Sequence, residues 1–312
     1  MSLGALFMAY QPPIRAMFER IATENGLVGD KAAKLEFTEG AGSMLFRSIP
    51  SERLVKLDWR GIASMWAMSQ AASRLMPAMF KARRAGIERL AIKEDTTEEL
   101  GMNFIGYARA MCVPQQWRWN TYYPRPDPNS ASEDVRLGDR FFFQALDWII
   151  RHEVAHIVLG HTDQAWTDDQ SRMEERDADR HATEGLRKNL APDPNRPPGS
   201  AASENELELE RRAVAVGLGL VWVAIYEETG GKPSTKYPPV ADRLSRSLDQ
   251  FGRAPDGFAT EILSDFIKSW IDPVGVWPAL PAAEATAQAA FDEACRRLDG
   301  YISSERQKPQ NE

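Results

Sequence analysis

Cysteine, histidine and long apolar runs are all scarce in this sequence, and each scarcity excludes something. Two cysteines, Cys112 and Cys295, in 312 residues are too few for the disulfide framework of a secreted scaffold, so reduced thiols in a cytoplasmic protein are expected. The longest apolar stretch is AVAVGLGLVWVAIY, Ala213 to Tyr226. As a helix it spans about 21 Å against roughly 30 Å of bilayer hydrocarbon, so it reads as a buried core helix and no membrane insertion is expected. The opening MSLGALFMAYQPPIR has no basic segment ahead of its short apolar run, a poor match to a signal peptide. Basic residues are not in excess either. A net charge of −7 and a pI near 5.4 argue against a general nucleic-acid binder, and Lys81-Ala-Arg-Arg84 reads as a solvated helix face.

With 43% hydrophobic and 27% charged residues the chain has an ordinary globular composition, and it is long enough for one large domain or two smaller ones. Residues 1–95 read as a helical N-terminal region. PIRAMFERIATENGL has apolar residues at helical spacing and a stop at Gly26, and a Met-rich helical stretch follows with a break expected near Pro77. QQWRWNTYY, 115–123, alternates in the manner of a strand, read from Gln116 to Tyr123. Asp139 is placed to cap a helix running through RFFFQALDWIIRHEVAHIVLG, with Gly160 to end it, and another helix is expected from Asp168 to Lys188. APDPNRPPGSAASEN, 191–205, reads as a flexible linker or loop. Residues 206–312 read as a helical C-terminal region packing on a core at 96–190. The class expected is α+β, predominantly helical.

The four histidines are His152, His156, His161 and His181, all within one short part of the chain. His152 and His156 belong to the motif His-Glu-Val-Ala-His. Residues four apart on a helix lie about 40° apart around the axis and 6 Å along it, so both imidazoles can meet one metal ion. Glu153 stands about 100° around from His152, able to address a water on that ion without ligating it. Two histidines for the metal and a glutamate as general base are what a zinc hydrolase requires. The apolar flank FFFQALDWII implies a buried helix that excludes water. Chance placement of histidines on a buried helix is the competing reading, and the crowding of all four speaks against it.

A catalytic zinc needs a third protein ligand and one open position. His161, just past Gly160, is one candidate, although a metzincin spacing fails because Leu159 and Thr162 occupy its further Gly and His positions. Glu175 is the other. In Glu175-Arg-Asp-Ala-Asp179 two carboxylates fall four apart on one helix face, so Glu175 can bind the metal while Asp179 orients a ligand imidazole.

HEVAHIVLGH followed by EERDADRHA resembles the gluzincin peptidases whose third ligand comes from a Glu-x-x-x-Asp helix. The nearest are the soluble Lit-like phage-exclusion and ImmA/IrrE-type peptidases, related to the HtpX and CAAX-prenyl-protease type. KYPPVADRL resembles the family's downstream His-Pro-Pro…Arg element, with Tyr237 in place of the histidine. The resemblance is specific over about 140–185 and suggestive over 236–244. It implies a minigluzincin-like core in which a small antiparallel sheet packs on the His-Glu-x-x-His helix. It further implies Zn2+ held by His152, His156 and Glu175, Glu153 as catalytic base, Asp179 and Arg243 behind the ligands, and Tyr237 as an oxyanion donor. An edge strand at 116–123 would then hold an extended protein or peptide substrate, with Trp117, Trp119, Tyr122 and Tyr123 supplying side-chain pockets. The function implied is a soluble zinc endopeptidase, with host-protein cleavage in phage defence by analogy. The alternative is a metal-binding regulatory or interaction protein without turnover, which the intact Glu153 counts against.

Overall fold

A computed structural model of the chain describes all residues except 1, 40–43, 88–91, 114–118, 120, 163–166, 189, 191–202, 230–235, 253–256, 273–285 and 308–312. The described residues form a predominantly helical α+β fold. Helices α1 (Leu3–Leu6) and α2 (Gln11–Glu24) precede strands β1 (Lys34–Thr38), β2 (Phe46–Ile49) and β3 (Leu54–Asp58). Then come α3 (Trp59–Arg84), α4 (Thr97–Cys112), α5 (Glu133–Val158), α6 (Asp168–Arg187), α7 (Glu204–Thr229), α8 (Val240–Gln250), α9 (Phe258–Ile271) and α10 (Ala287–Gln307).

The sheet is mixed rather than purely antiparallel. β3 lies in the middle, parallel to β1 from Lys34↔Leu54 and antiparallel to β2 from Phe46↔Leu57 to Ile49↔Leu54. β2 is therefore an edge strand, and it packs against α5. These strands fall inside the stretch expected to be helical. The stretch expected to be a strand is different: residues 114–118 and 120 lie outside the described residues, and Trp119 and 121–123 are not in strand conformation. The aromatic alternation there serves packing instead. Trp119 meets Phe7, Trp66 and Tyr107 at ring separations of 5.9, 5.5 and 5.2 Å, and Tyr123 meets Phe104 at 5.0 Å. Tyr122 points to solvent.

Helix α5 is the axis of the molecule, in contact with α2, α3, α6, α7 and β2. It begins about two turns earlier than its apolar run suggests, at Glu133 behind Ser132. Asp139 is consequently not a cap but an interior, buried residue. Its carboxylate accepts from Tyr10 Oη at 2.8 Å, Trp66 Nε1 at 2.7 Å and Gln70 Nε2 at 3.3 Å, joining α5 to α3 and to the N-terminal segment. Burial pushes the Asp139 carboxyl above its ordinary range, against the donors that favour its charged form. Gly138 beside it permits the approach, since a Cβ there would stand 2.3 Å from Gln70 Nε2.

Helix α3 runs through Pro77 without the expected break. Residues 59–76 of it are buried throughout, and Pro77 falls where the helix emerges to the surface, so packing against α4 and α5 outweighs the lost backbone bond. Gly26 and Gly160 end their helices as expected, at φ +71° and +70°. Residues Ala213 to Ile225 of α7 are almost wholly buried, and no described helix is long and apolar enough to cross a membrane. Cys112 and Cys295 are both buried, and no disulfide joins them. The expected linker lies outside the described residues up to residue 202, and Glu204 already begins α7.

Asp139→Ala removes an acceptor from three buried donors, Tyr10, Trp66 and Gln70. It is expected to lower stability by about 2–4 kcal/mol, read as a shift of the urea unfolding midpoint at unchanged slope.

Candidate metal centre

The site is assembled by three helices. α5 carries His152, Glu153 and His156 in its last two turns, held in place by the buried Trp148 one turn earlier, whose Nε1 donates to Thr183 Oγ1 of α6 at 3.1 Å. α6 starts at a Thr167 cap, where Oγ1 accepts from Gln170 N at 3.3 Å, and carries Glu175 and Asp179 on the face turned to α5. α8 follows Pro238 and Pro239 and carries Arg243.

His152, His156 and Glu175 bring one donor atom each to within 4.8 Å of one another. The separations are 3.1 Å between the two Nε2 atoms, 3.3 Å from His152 Nε2 to Glu175 Oε2, and 3.6 Å from His156 Nε2 to Glu175 Oε1. A tetrahedral zinc with bonds of about 2.0–2.1 Å has donor–donor edges of roughly 3.4 Å. The spacing therefore fits such an ion, as does the donor set of two imidazoles and a carboxylate. Asp179 Oδ1 lies 2.9 Å from Nδ1 of His152, on the side of the ring away from the cluster. Arg243, buried, grips Asp179 with both ends of its fork: Nε to Oδ2 and Nη2 to Oδ1, each 2.8 Å, with Nη2 also 3.5 Å from Glu175 Oε2.

The charges of the cluster divide unequally. For His152, burial disfavours the imidazolium, but Asp179 and Glu175 overcome it and raise the ring to about 10. For His156, burial and the neighbouring His152 act together and lower it to about 3. Burial acts against the charge of Glu175 and Asp179, yet His152 and Arg243 hold both carboxyls below the ordinary range. Glu153 differs. Burial pushes its carboxyl up, opposed by His152 and by hydrogen bonds from the Ser48 side chain and backbone on β2.

His152, Glu153, His156 and Glu175 line one cleft of about 400 Å³. Phe46, Arg47 and Ser48 of β2 form one wall, Trp222, Val223 and Tyr226 of α7 another, and Tyr237 and Arg243 lie at the α8 side. Burial raises the Tyr237 hydroxyl to about 12, helped by Glu175 and Glu153. The structure thus brings together all seven residues singled out in the sequence: His152, Glu153, His156, Glu175, Asp179, Tyr237 and Arg243. It does not bring in the aromatic residues at 119, 122 and 123. It adds Ser48, Phe46, Trp222 and Tyr226, which sequence reasoning missed. The β-favouring runs MLFRSI and RLVKLD were the available signal for the strand wall. His181 stands apart, its Nε2 2.7 Å from Asn25 Oδ1. His161 is not in the three-donor group; its Nδ1 lies 2.8 Å from Nδ1 of His156.

Two outcomes follow from these charges. Arg243→Ala leaves two buried carboxylates without their cation and is expected to cost about 3–5 kcal/mol of stability, measured by chemical denaturation. In metal-free protein, His152 has a folded value above its unfolded one, so its contribution is present below pH 6.5 and lost as pH rises through about 10. The wild type is therefore expected to lose more stability between pH 6 and pH 10 than His152→Gln, in urea titrations with a chelator present.

The profile of a family described as Peptidase U49 matches residues 55–263, from β3 into α9. A curated protein of Escherichia coli (strain K12) described as "Cell death peptidase" is 31% identical over 110 residues, which is 35% of this chain and 32% of that protein. The chain thus spans about a third of the length of that relative, and no solved structure matches. The family match covers both helices that supply the three-donor cluster, and the chain belongs to the Peptidase U49 family.

Proposed function

We propose that this chain is a zinc-dependent endopeptidase whose metal is held by His152, His156 and Glu175. The observation that carries the reading is the convergence of those three side chains, the two Nε2 atoms 3.1 Å apart and Glu175 oxygens 3.3 Å from one and 3.6 Å from the other, beside the partly buried Glu153 in a cleft and in a chain of a peptidase family. A zinc ion there would supply Lewis acidity, lowering the pKa of a bound water and polarising the scissile carbonyl.

The chain's own residues do the rest. Asp179 fixes the orientation of His152 through Nδ1, and Arg243 holds Asp179 and Glu175 in place. Glu153, kept on the cleft floor by Ser48 and made more basic by burial, takes the proton from the attacking water and passes it to the leaving amide nitrogen. Tyr237 donates its hydroxyl proton as a hydrogen bond to the developing oxyanion, its raised pKa keeping it protonated. The substrate backbone pairs with β2, an edge strand whose residues line the cleft. Its side chains would meet the Phe46 and Trp222 rings, 4.9 Å apart. The family resemblance extends the reading to cleavage of a host protein in a phage-defence response, and the relative is described as a cell death peptidase.

Metal analysis of purified protein is expected to find about one zinc per chain. Glu153→Gln should keep that zinc and lose at least about 100-fold in hydrolysis of an unfolded protein substrate, whereas Glu175→Ala should lose both. A wild type that takes up no zinc, or a Glu153→Gln variant that hydrolyses normally, would sink the proposal.

A further inference from the structure

His156 is held between two other imidazoles. Its ring centroid lies 4.8 Å from that of His152 and 4.9 Å from that of His161, at interplanar angles of 75° and 71°. Its Nε2 faces His152 Nε2 and Glu175, while its Nδ1 faces His161 Nδ1 at 2.8 Å. A contact this short between ring nitrogens needs one proton, and the surroundings decide which ring carries it. Nε2 of His156 is turned into the three-donor cluster, so as a metal ligand there the ring keeps its proton on Nδ1, the nitrogen 2.8 Å from His161 Nδ1.

The backbone fixes this arrangement. Gly160 at φ +70° ends α5, with Gly160 N donating to Ile157 O at 3.3 Å and His161 N to His156 O at 3.0 Å. These are the two hydrogen bonds of a Schellman turn. The turn folds His161 back over the helix end and anchors it to the very residue its ring contacts.

Resting on the zinc-site reading above, we propose that His161 is a positioning residue. Its Nδ1 accepts the Nδ1 proton of His156 and holds the opposite nitrogen of that ring toward the metal position. Ligand histidines usually give their second N–H to a carboxylate, a backbone carbonyl or water. Here Asp179 takes that place for His152, and an imidazole takes it for His156. His161 is thus neither a third ligand nor a bystander of the motif.

The geometry suggests its own test. The side-chain oxygen of asparagine stands as many bonds from the backbone as Nδ1 of histidine, while that of glutamine stands one bond further. Zinc affinity would be measured by competition with a chromophoric chelator on wild type, His161→Ala, His161→Asn, His161→Gln and Glu175→Ala. Thermal midpoints of the metal-free proteins would confirm that each variant folds. His161→Ala and His161→Gln are expected to bind zinc about 10–100-fold more weakly, with the stoichiometry kept and His161→Asn close to wild type. Unchanged affinity in His161→Ala, with Glu175→Ala impaired, would overturn the positioning role and leave the zinc site standing. Loss of affinity in His161→Asn equal to that in His161→Ala would also overturn it, because acceptance of the proton would not be what His161 contributes. A wild type that binds no zinc would overturn the site reading and this inference with it.

Discussion

The buried ion pair between Asp179 and Arg243 is the interaction on which the candidate site depends. Neither residue has appreciable contact with solvent, so each would be strongly disfavoured as a charge without the other. Together they fix α6 against α8, and their free valences reach the site itself: Asp179 touches His152, and Arg243 touches Glu175. One guanidinium therefore organises two carboxylates of unequal duty. The carboxylate it grips most fully turns toward a histidine ring, and the one it touches lightly keeps an oxygen for the cluster.

The consequence is a local imbalance of charge. Glu175 and Asp179 bring two negative charges to a buried place, Arg243 returns one positive charge, and His152 takes up a proton to return the second. A site that draws a proton onto an imidazole in this way is one where a cation can replace that proton. His156, a few ångströms away, is driven in the opposite direction and stays neutral. Glu153 takes a third course. Though adjacent to His152 in sequence, it faces β2, and burial there raises its affinity for a proton. Similar side chains on one short helical stretch thus acquire different protonation chemistry from what each faces.

The cleft joins parts of the chain with different histories in the comparisons. The family match begins at residue 55, so it includes the helices that supply the clustered donors but not β2, which forms the wall beside Glu153. The chemistry-bearing helices and the strand wall are separable in sequence, yet Ser48 contacts the carboxylate of Glu153. The N-terminal segment is bound to the helical body elsewhere too, through Tyr10 on Asp139.

Much of the site was legible in the sequence because its spacing is local. His152 and His156, like Glu175 and Asp179, fall four residues apart, and helical periodicity alone places each pair on one face. The ends of α2 and α5 at Gly26 and Gly160 were legible for the same reason, since only the left-handed region suits those turns. The cap expected at Asp139 was misread, and the strand expected at 116–123 is not one at residues 119 and 121–123, because alternation and polarity report burial without saying against what. The aromatic residues at 119 and 123 pack into an aromatic cluster, and Asp139 is inside its helix because three donors from distant segments surround it. The tertiary structure alone decided that Arg243 meets Asp179, that β2 rather than a later strand walls the cleft, and that His161 meets the far nitrogen of His156. Contacts between such separated or folded-back segments depend on which buried polar groups can satisfy one another, and no local period encodes that.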